Sequence, residues 1–317
     1  MPKVIFDTDP GVDDAMALLF LHRHPEIDLV GITTVFGNAA VETTTRNALF
    51  LKSAFKIDAP VVRGAGVTFD RDRPARPWPT IVHGENGLGD IDIPNDADLP
   101  IGEEDEAAQF IIDTIRQNPG EISIVAVGRM TNLANALAKA PDIAGLVRDV
   151  VIMGGSFYVP GNVTPAAEAN IAGDPEAADR VMTAPWKVAV IGLDVTTKTV
   201  MTRATLKELA DKGGPEVSLL NELSQSYIDF YDHLIADAML VHDTCACVYL
   251  VRPDLFDTVT GQIRVSCDGL TDGQTVLKPS HRRFPPGAWD HFPAQTVAVD
   301  VAADRVMALV HDTLVRR

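Results

Sequence analysis

Cysteine is scarce in this chain, with only Cys245, Cys247 and Cys267 in 317 residues. The count is odd, and the spacing fits neither a zinc site nor a disulfide framework. Cys245 and Cys247 lie in an apolar stretch and read as buried packing. Basic charge is also short: 27 Lys and Arg face 44 Asp and Glu, for a net charge of −17. That balance argues against nucleic acid or an anionic membrane as partner. Apolar runs stay below the roughly 18 residues that a spanning helix needs. The chain enters a strand pattern at once, without the features of a signal peptide. A soluble, cytoplasmic protein is expected. Internal repeats, low-complexity tracts and linkers are lacking too. With 46% hydrophobic residues the chain can bury a sizeable core, and a single domain over residues 1–317 is expected.

What the chain has in excess is acid near its start. Asp7-Thr8-Asp9-Pro10-Gly11-Val12-Asp13-Asp14 puts four carboxylates within eight residues. Val4-Ile5-Phe6 before it reads as a buried strand, and Ala15 to Leu21 after it as a helix. Pro10-Gly11 supplies the turn between them. One or two acids at a helix start are ordinary capping. Four repel one another, and a helix N-terminus offsets only about 0.3–1 kcal/mol for each. A bound divalent cation is the better reading, and all-oxygen donors point to Ca2+ or Mg2+ instead of zinc.

Further strands are expected at Leu29–Val35, Pro60–Val62, Ile122–Val127, Val150–Met153 and Val188–Ile191. Helical patterns separate them: one after Asn38 through about Lys52, one with Ala108, Ile111, Ile112 and Ile115 on a single face, and one opening at Asp174-Pro175-Glu176. A long helical stretch from about Glu216 to Ile235 and a C-terminal helix with Val306, Leu309, Val310 and Leu314 complete the pattern. Buried strands alternating with helices imply an α/β fold with a doubly wound, mostly parallel sheet, Rossmann-like at its core. Residues 64–100 break the pattern and are expected to form a long functional loop.

In such sheets ligands bind beyond the carboxyl ends of the strands. The polar residues follow that rule: Asp7 to Asp14 after the first strand, Asn38 after the second, then Gly128 to Asn132, Gly155-Ser156 and Asp194 after later ones. Singly, each is an ordinary turn residue; together they mark one edge. Asn162, Glu168 and Asn170 space two amides and a carboxylate along a loop, which suits sugar hydroxyls or a plain polar surface. His242-Asp243 opens an apolar segment, where it either caps a helix or serves a site. Tyr227, Phe230, Tyr231 and His233 crowd one helix end, where some could face a ligand and core packing suits most.

These blocks resemble the nucleoside hydrolases of the inosine-uridine-preferring type. The resemblance runs through Asp7 to Ala15, Val35 to Asn38, His83 to Leu88, Thr131-Asn132, Met153 to Gly155, the Asn162–Asn170 loop with Asp174 to Ala178, and Val241 to Asp243. It implies hydrolysis of the N-glycosidic bond of ribonucleosides. It further implies calcium held by Asp9, Asp14, the carbonyl of Val127 and Asp243. Asp13, Asn38 and Asn170 would bind ribose hydroxyls, Asn162 and Glu168 the 5′-hydroxyl, and His83 would lie at the sugar–base pocket. Asp9 would activate the attacking water, and His242 would help protonate the leaving base. Homodimers or homotetramers are implied as well. Arg129-Met130 departs from the family's usual Pro-Leu, Gly89-Asp90 from Asp-Gly, and Asp272 stands where a basic residue is usual. Two other readings compete. Asp7-x-Asp9 also resembles the start of magnesium-dependent phosphatases of the haloacid-dehalogenase type, and a sensor could keep the cation site without turnover.

Overall fold

The computed structural model describes residues 1–93 and 105–316. Its strands are β1 (Lys3–Thr8), β2 (Asp28–Thr34), β3 (Val61–Arg63), β4 (Ile122–Ala126), β5 (Asp149–Met153), β6 (Val188–Ile191), β7 (Val200–Thr202), β8 (Ala238–Leu240), β9 (Phe256–Val265), β10 (Thr275–Pro279) and β11 (Gln295–Val301). Nine of these form one sheet among the described residues, in the order β10-β9-β11-β6-β5-β4-β1-β2-β3. β7 and β8 pair apart as an antiparallel ribbon. From β3 to β11 each neighbour is parallel, and β9 turns antiparallel to both β11 and β10.

The apolar runs explain this layering. Alternate residues of one strand enter opposite cores: Val4 and Phe6 join one, Ile5 the other. Val125, Val151 and Met153 share the first face with helices Val12–Arg23 and His242–Val251. Ile124, Val150 and Ile152 share the second with helices Ala107–Gln117, Thr131–Lys139 and Pro175–Thr183. Helix Val12–Arg23 is buried from Val12 to Leu21, with no polar stripe. β1 pairs with β2 on one side and β4 on the other. Chain order reverses there, so a crevice opens at the carboxyl end of β1.

Several expectations shift in detail. The third strand is Val61–Arg63, one residue later than read. The long helix from Glu216 is two, Pro215–Leu223 and Gln225–Tyr231, with Ser224 between them. The 64–100 loop is irregular through residue 93 apart from the short helix Thr80–His83, and residues 94–100 lie outside the described ones. Cys245 and Cys247 are fully buried, as packing requires. No helix among the described residues is long and apolar enough to cross a membrane.

Candidate active site

The site grows from the turn after β1. Asp7, still in the strand, accepts from Thr33 Oγ1 (2.5 Å) and Asn132 Nδ2 (2.7 Å) on one oxygen, while its other oxygen has no partner. Burial pushes this carboxyl up to about 7. Asn132 also donates to the Thr34 carbonyl (2.9 Å) and accepts from Ala65 N–H (2.9 Å). One side chain thus ties β1 to β2 and to the chain leaving β3.

Gly11 caps the following helix, and its N–H donates to Asp14 Oδ2 (2.9 Å), whose Oδ1 accepts from Thr8 Oγ1 (2.5 Å). Asn38 arrives from the end of β2. Its N–H donates to Asp9 Oδ2 (2.9 Å), and its amide to the Asp9 carbonyl and Asp14 Oδ2 (both 3.1 Å). Two glycines leave room for Asp9: a Cβ on Gly37 would lie 1.8 Å from Oδ2, and one on Gly128 2.6 Å from Oδ1.

Asp13, Asp14 and Asp243 meet here, each offering an oxygen within 4.8 Å of the others'. All three are buried. Burial first, and then repulsion from Asp13, Asp14 and Asp9, raises Asp243 far above the ordinary carboxylate range. Burial and Asp14 push Asp13 up to about 8. Asp9 is raised by burial and Asp14, against the lowering pull of Arg129. Such a group suits a hard cation, because buried like charges are costly until a cation or protons neutralise them. The carbonyl of Val127 accepts from Asn170 Nδ2 (2.6 Å) and has a second lone pair to give.

Above the acids lies a cavity of about 630 Å³, lined by Asp13, Asn38, His83, Val127, Asn162, Glu168, Asn170, His242 and Asp243 among others. Glu168 caps helix Ala169–Gly173, accepting from the N–H groups of Asn170 (3.0 Å), Ile171 (3.2 Å) and Gly155 (2.9 Å). Asn162 accepts from Ala169 N–H (3.0 Å). The opposite wall is aromatic. Tyr227 packs on His83 and on Tyr231, with ring centres 5.3 and 4.9 Å apart. Tyr231 Oη lies 3.1 Å from His242 Nε2, and His242 Nδ1 lies 2.8 Å from Thr196 Oγ1. Burial drops His83 to about 3 and His242 to about 4, so both rings are neutral at pH 7.

Every residue that the resemblance assigned to cation, ribose or base therefore reaches this one region, whereas Asp194 and Ser156 serve loop contacts beside it. Asp13, Asn38, His83, Asn162, Glu168, Asn170, Val127, His242 and Asp243 line the cavity; Asp9 and Asp14 join it through Asn38. The aromatic cluster takes both roles that were open to it. Tyr227, Phe230, Tyr231 and His233 line the cavity as well as packing. The spacing of four between Tyr227 and Tyr231, which puts them on one helix face, was the available sign. Thr8, Thr33 and Thr196 gave none, because each matters through a partner distant in sequence or on another element.

Buried acids suited to a hard cation, beside amides that fit sugar hydroxyls at a sheet's switch point, define a metal-dependent hydrolase acting on a sugar. The chain matches the family described as inosine-uridine preferring nucleoside hydrolase over residues 4–308. It is 39% identical to a probable uridine nucleosidase 2 of Arabidopsis thaliana, covering 98% of this chain and 97% of that protein. It is 35% identical to an inosine-uridine preferring nucleoside hydrolase of Leishmania major, covering 99% and 98%. A solved plant nucleoside hydrolase superposes with a TM-score of 0.93 at 37% identity, covering 100% of this chain and 99% of that one. The chain belongs to the inosine-uridine preferring nucleoside hydrolase family. Its reaction is the hydrolysis of the N-glycosidic bond of ribonucleosides. None of these matches supports the phosphatase or sensor readings.

Proposed function

We propose that the cation is Ca2+, held by Asp9, Asp14, Asp243 and the Val127 carbonyl. When bound, it would grip the ribose diol and polarise a water, since calcium accepts many loosely arranged oxygen ligands. Asp13, Asn38 and Asn170 hydrogen-bond the ribose hydroxyls, and Asn162 and Glu168 hold the 5′-hydroxyl. Asp9 takes a proton from the attacking water as the sugar develops oxocarbenium character. A base positioned this way contributes typically about 10²–10⁴-fold. His242 hands a proton to the departing base. The buried ring is neutral most of the time at pH 7; the small fraction that has taken up a proton from solvent is a strong acid and is the form that donates, with Tyr231 Oη 3.1 Å from Nε2. His83, beside Tyr227, stands at the sugar–base junction.

The observation that carries this reading is the cluster of Asp13, Asp14 and Asp243, with oxygens within 4.8 Å of one another, at the cavity lined by Asn38 and Asn170; Asp9 joins the cluster through Asn38, which bonds both Asp9 and Asp14, while Asp13 is left to face the ribose. The names of the relatives favour inosine- and uridine-type substrates. A homodimer or homotetramer in the cytoplasm goes with the same reading. The test is ribose release from inosine, uridine, adenosine, guanosine and cytidine, with and without a calcium chelator. Calcium-dependent release led by inosine or uridine supports it. Full activity after exhaustive chelation would overturn the cation's role.

A further inference from the structure

The segment that delivers Pro79, Val82 and His83 to the cavity is tied down at two points upstream. At the first, Arg73 reaches between two carboxylates. Its Nε and Nη2 donate to Glu176 (2.6 and 2.5 Å), its Nη1 to Asp272 Oδ2 (2.9 Å), and Nη2 also to the Cys267 carbonyl (2.8 Å). Arg76 joins on the same Asp272 oxygen at 2.9 Å. At the second point, the Arg129 guanidinium lies 4.3 Å from the Phe36 ring centre and 5.8 Å from that of Trp78. Arg129 is only 7% exposed. Its stem runs over Gly173, where a Cβ would come within 2.3 Å of Nε. Trp78 directly precedes Pro79, and His83 is five residues further on.

We infer that Asp272 and Arg129 are positioning residues, which together with Arg73 and Arg76 clasp segment 70–78 against the body and so hold His83 over the cavity. Neither is among the residues that line the cavity, although the Arg129 charge acts on Asp9 beside it. A bidentate, part-buried guanidinium pair holds better than an exposed one. A cation stacked on a ring adds to that hold. A clasped segment spares the substrate the cost of closing it, because apparent affinity scales with the closed fraction.

The experiment uses a Trp289→Phe background, which leaves Trp78 and the buried Trp186 as fluorophores. Asp272→Lys opens the clasp by charge reversal, Asp272→Asn opens it more gently, and Arg129→Met removes the stacked charge while keeping the stem. Acrylamide quenching without nucleoside is expected to rise about twofold or more in Asp272→Lys and Arg129→Met, as Trp78 is released. KM of Asp272→Lys is expected to rise about 5- to 20-fold with kcat within about twofold, and Asp272→Asn to fall between it and wild type. The kinetic arm rests on the cavity being the nucleoside site; the quenching arm does not, so the clasp is tested even if that reading fails. Folded Asp272→Asn and Arg129→Met proteins with unchanged quenching, or an Asp272→Lys enzyme that loses kcat at constant KM, would overturn the clasp.

Discussion

Calcium binding should expel protons from this protein. The carboxylates of Asp13, Asp14 and Asp243 present oxygens within 4.8 Å of each other. Two full negative charges at that distance repel by about 3.5 kcal/mol at an effective dielectric constant of about 20. With all three ionised, the repulsion reaches about 10 kcal/mol, as large as the stability of an ordinary domain. The cation-free protein must therefore keep protons on the cluster at pH 7, in line with Asp13 held up to about 8 and Asp243 well above the ordinary range. In the unfolded chain these sites are about half protonated at pH 4 and almost fully ionised above about pH 5.5. Between pH 4 and 8 the folded state holds more protons than the unfolded, so stability without calcium falls as pH rises through that window. Calcium needs the ionised ligands and reverses the trend. Calorimetry at pH 7 in two buffers of different ionisation enthalpy should read about one to two protons released per calcium, declining toward zero above about pH 9. Chelated protein should melt lower at pH 8 than at pH 5. Calcium at a hundredfold its Kd should add about 2.7 kcal/mol, or about 5 °C at this chain length. Calcium binding with no proton release, and a melting point flat from pH 5 to 8 without it, would refute the reasoning.

Three other outcomes follow from the same geometry. Asp9→Asn should lower kcat by about 10²–10⁴-fold while equilibrium dialysis still detects nucleoside binding; near-normal turnover would remove Asp9 as the base. His242→Ala should slow inosine far more than a nucleoside with a chemically activated leaving group, and equal losses on both would make the ring structural. Gly37→Ala puts a methyl where Asp9 Oδ2 stands, 1.8 Å from the new Cβ, so activity should drop about 100-fold in a protein destabilised by about 1–3 kcal/mol. A fully active Gly37→Ala enzyme would mean that Asp9 need not hold its present position.

The parts of the site that were legible in sequence are those written locally. Asp7 to Asp14 lie between an apolar strand and an apolar helix, and Pro10-Gly11 marks the turn, so their place at a strand's carboxyl end could be read without coordinates. The same holds for Asn38 after β2, and Asp174-Pro175 could be read as a helix start. The outer sheet was less visible. β9 sets Asp257, Thr258, Thr260, Gln262 and Arg264 among its apolar residues and alternates buried with half-buried residues from Gly261 to Val265, as suits an antiparallel strand covered on one face, and it lacks the continuous apolar run of β4 or β5. Partnerships between distant residues were invisible: Tyr231 to His242, His242 to Thr196, Asn132 to Asp7. Arg129 and Asp272 stood out only as unusual residues, and nothing near them in sequence named what they would meet.

The helix from Val12 to Arg23 has no face toward water over its first ten residues, and its opening turn carries two of the acids. Packing and chemistry therefore constrain the same short stretch, and almost any exchange there would harm one or the other. The facing wall includes exposed His233, Leu234, Val159 and Val163, which can vary without that double cost. A search for altered base range would diversify that wall and leave residues 7 to 21 untouched, since only one side of the cavity is free to evolve.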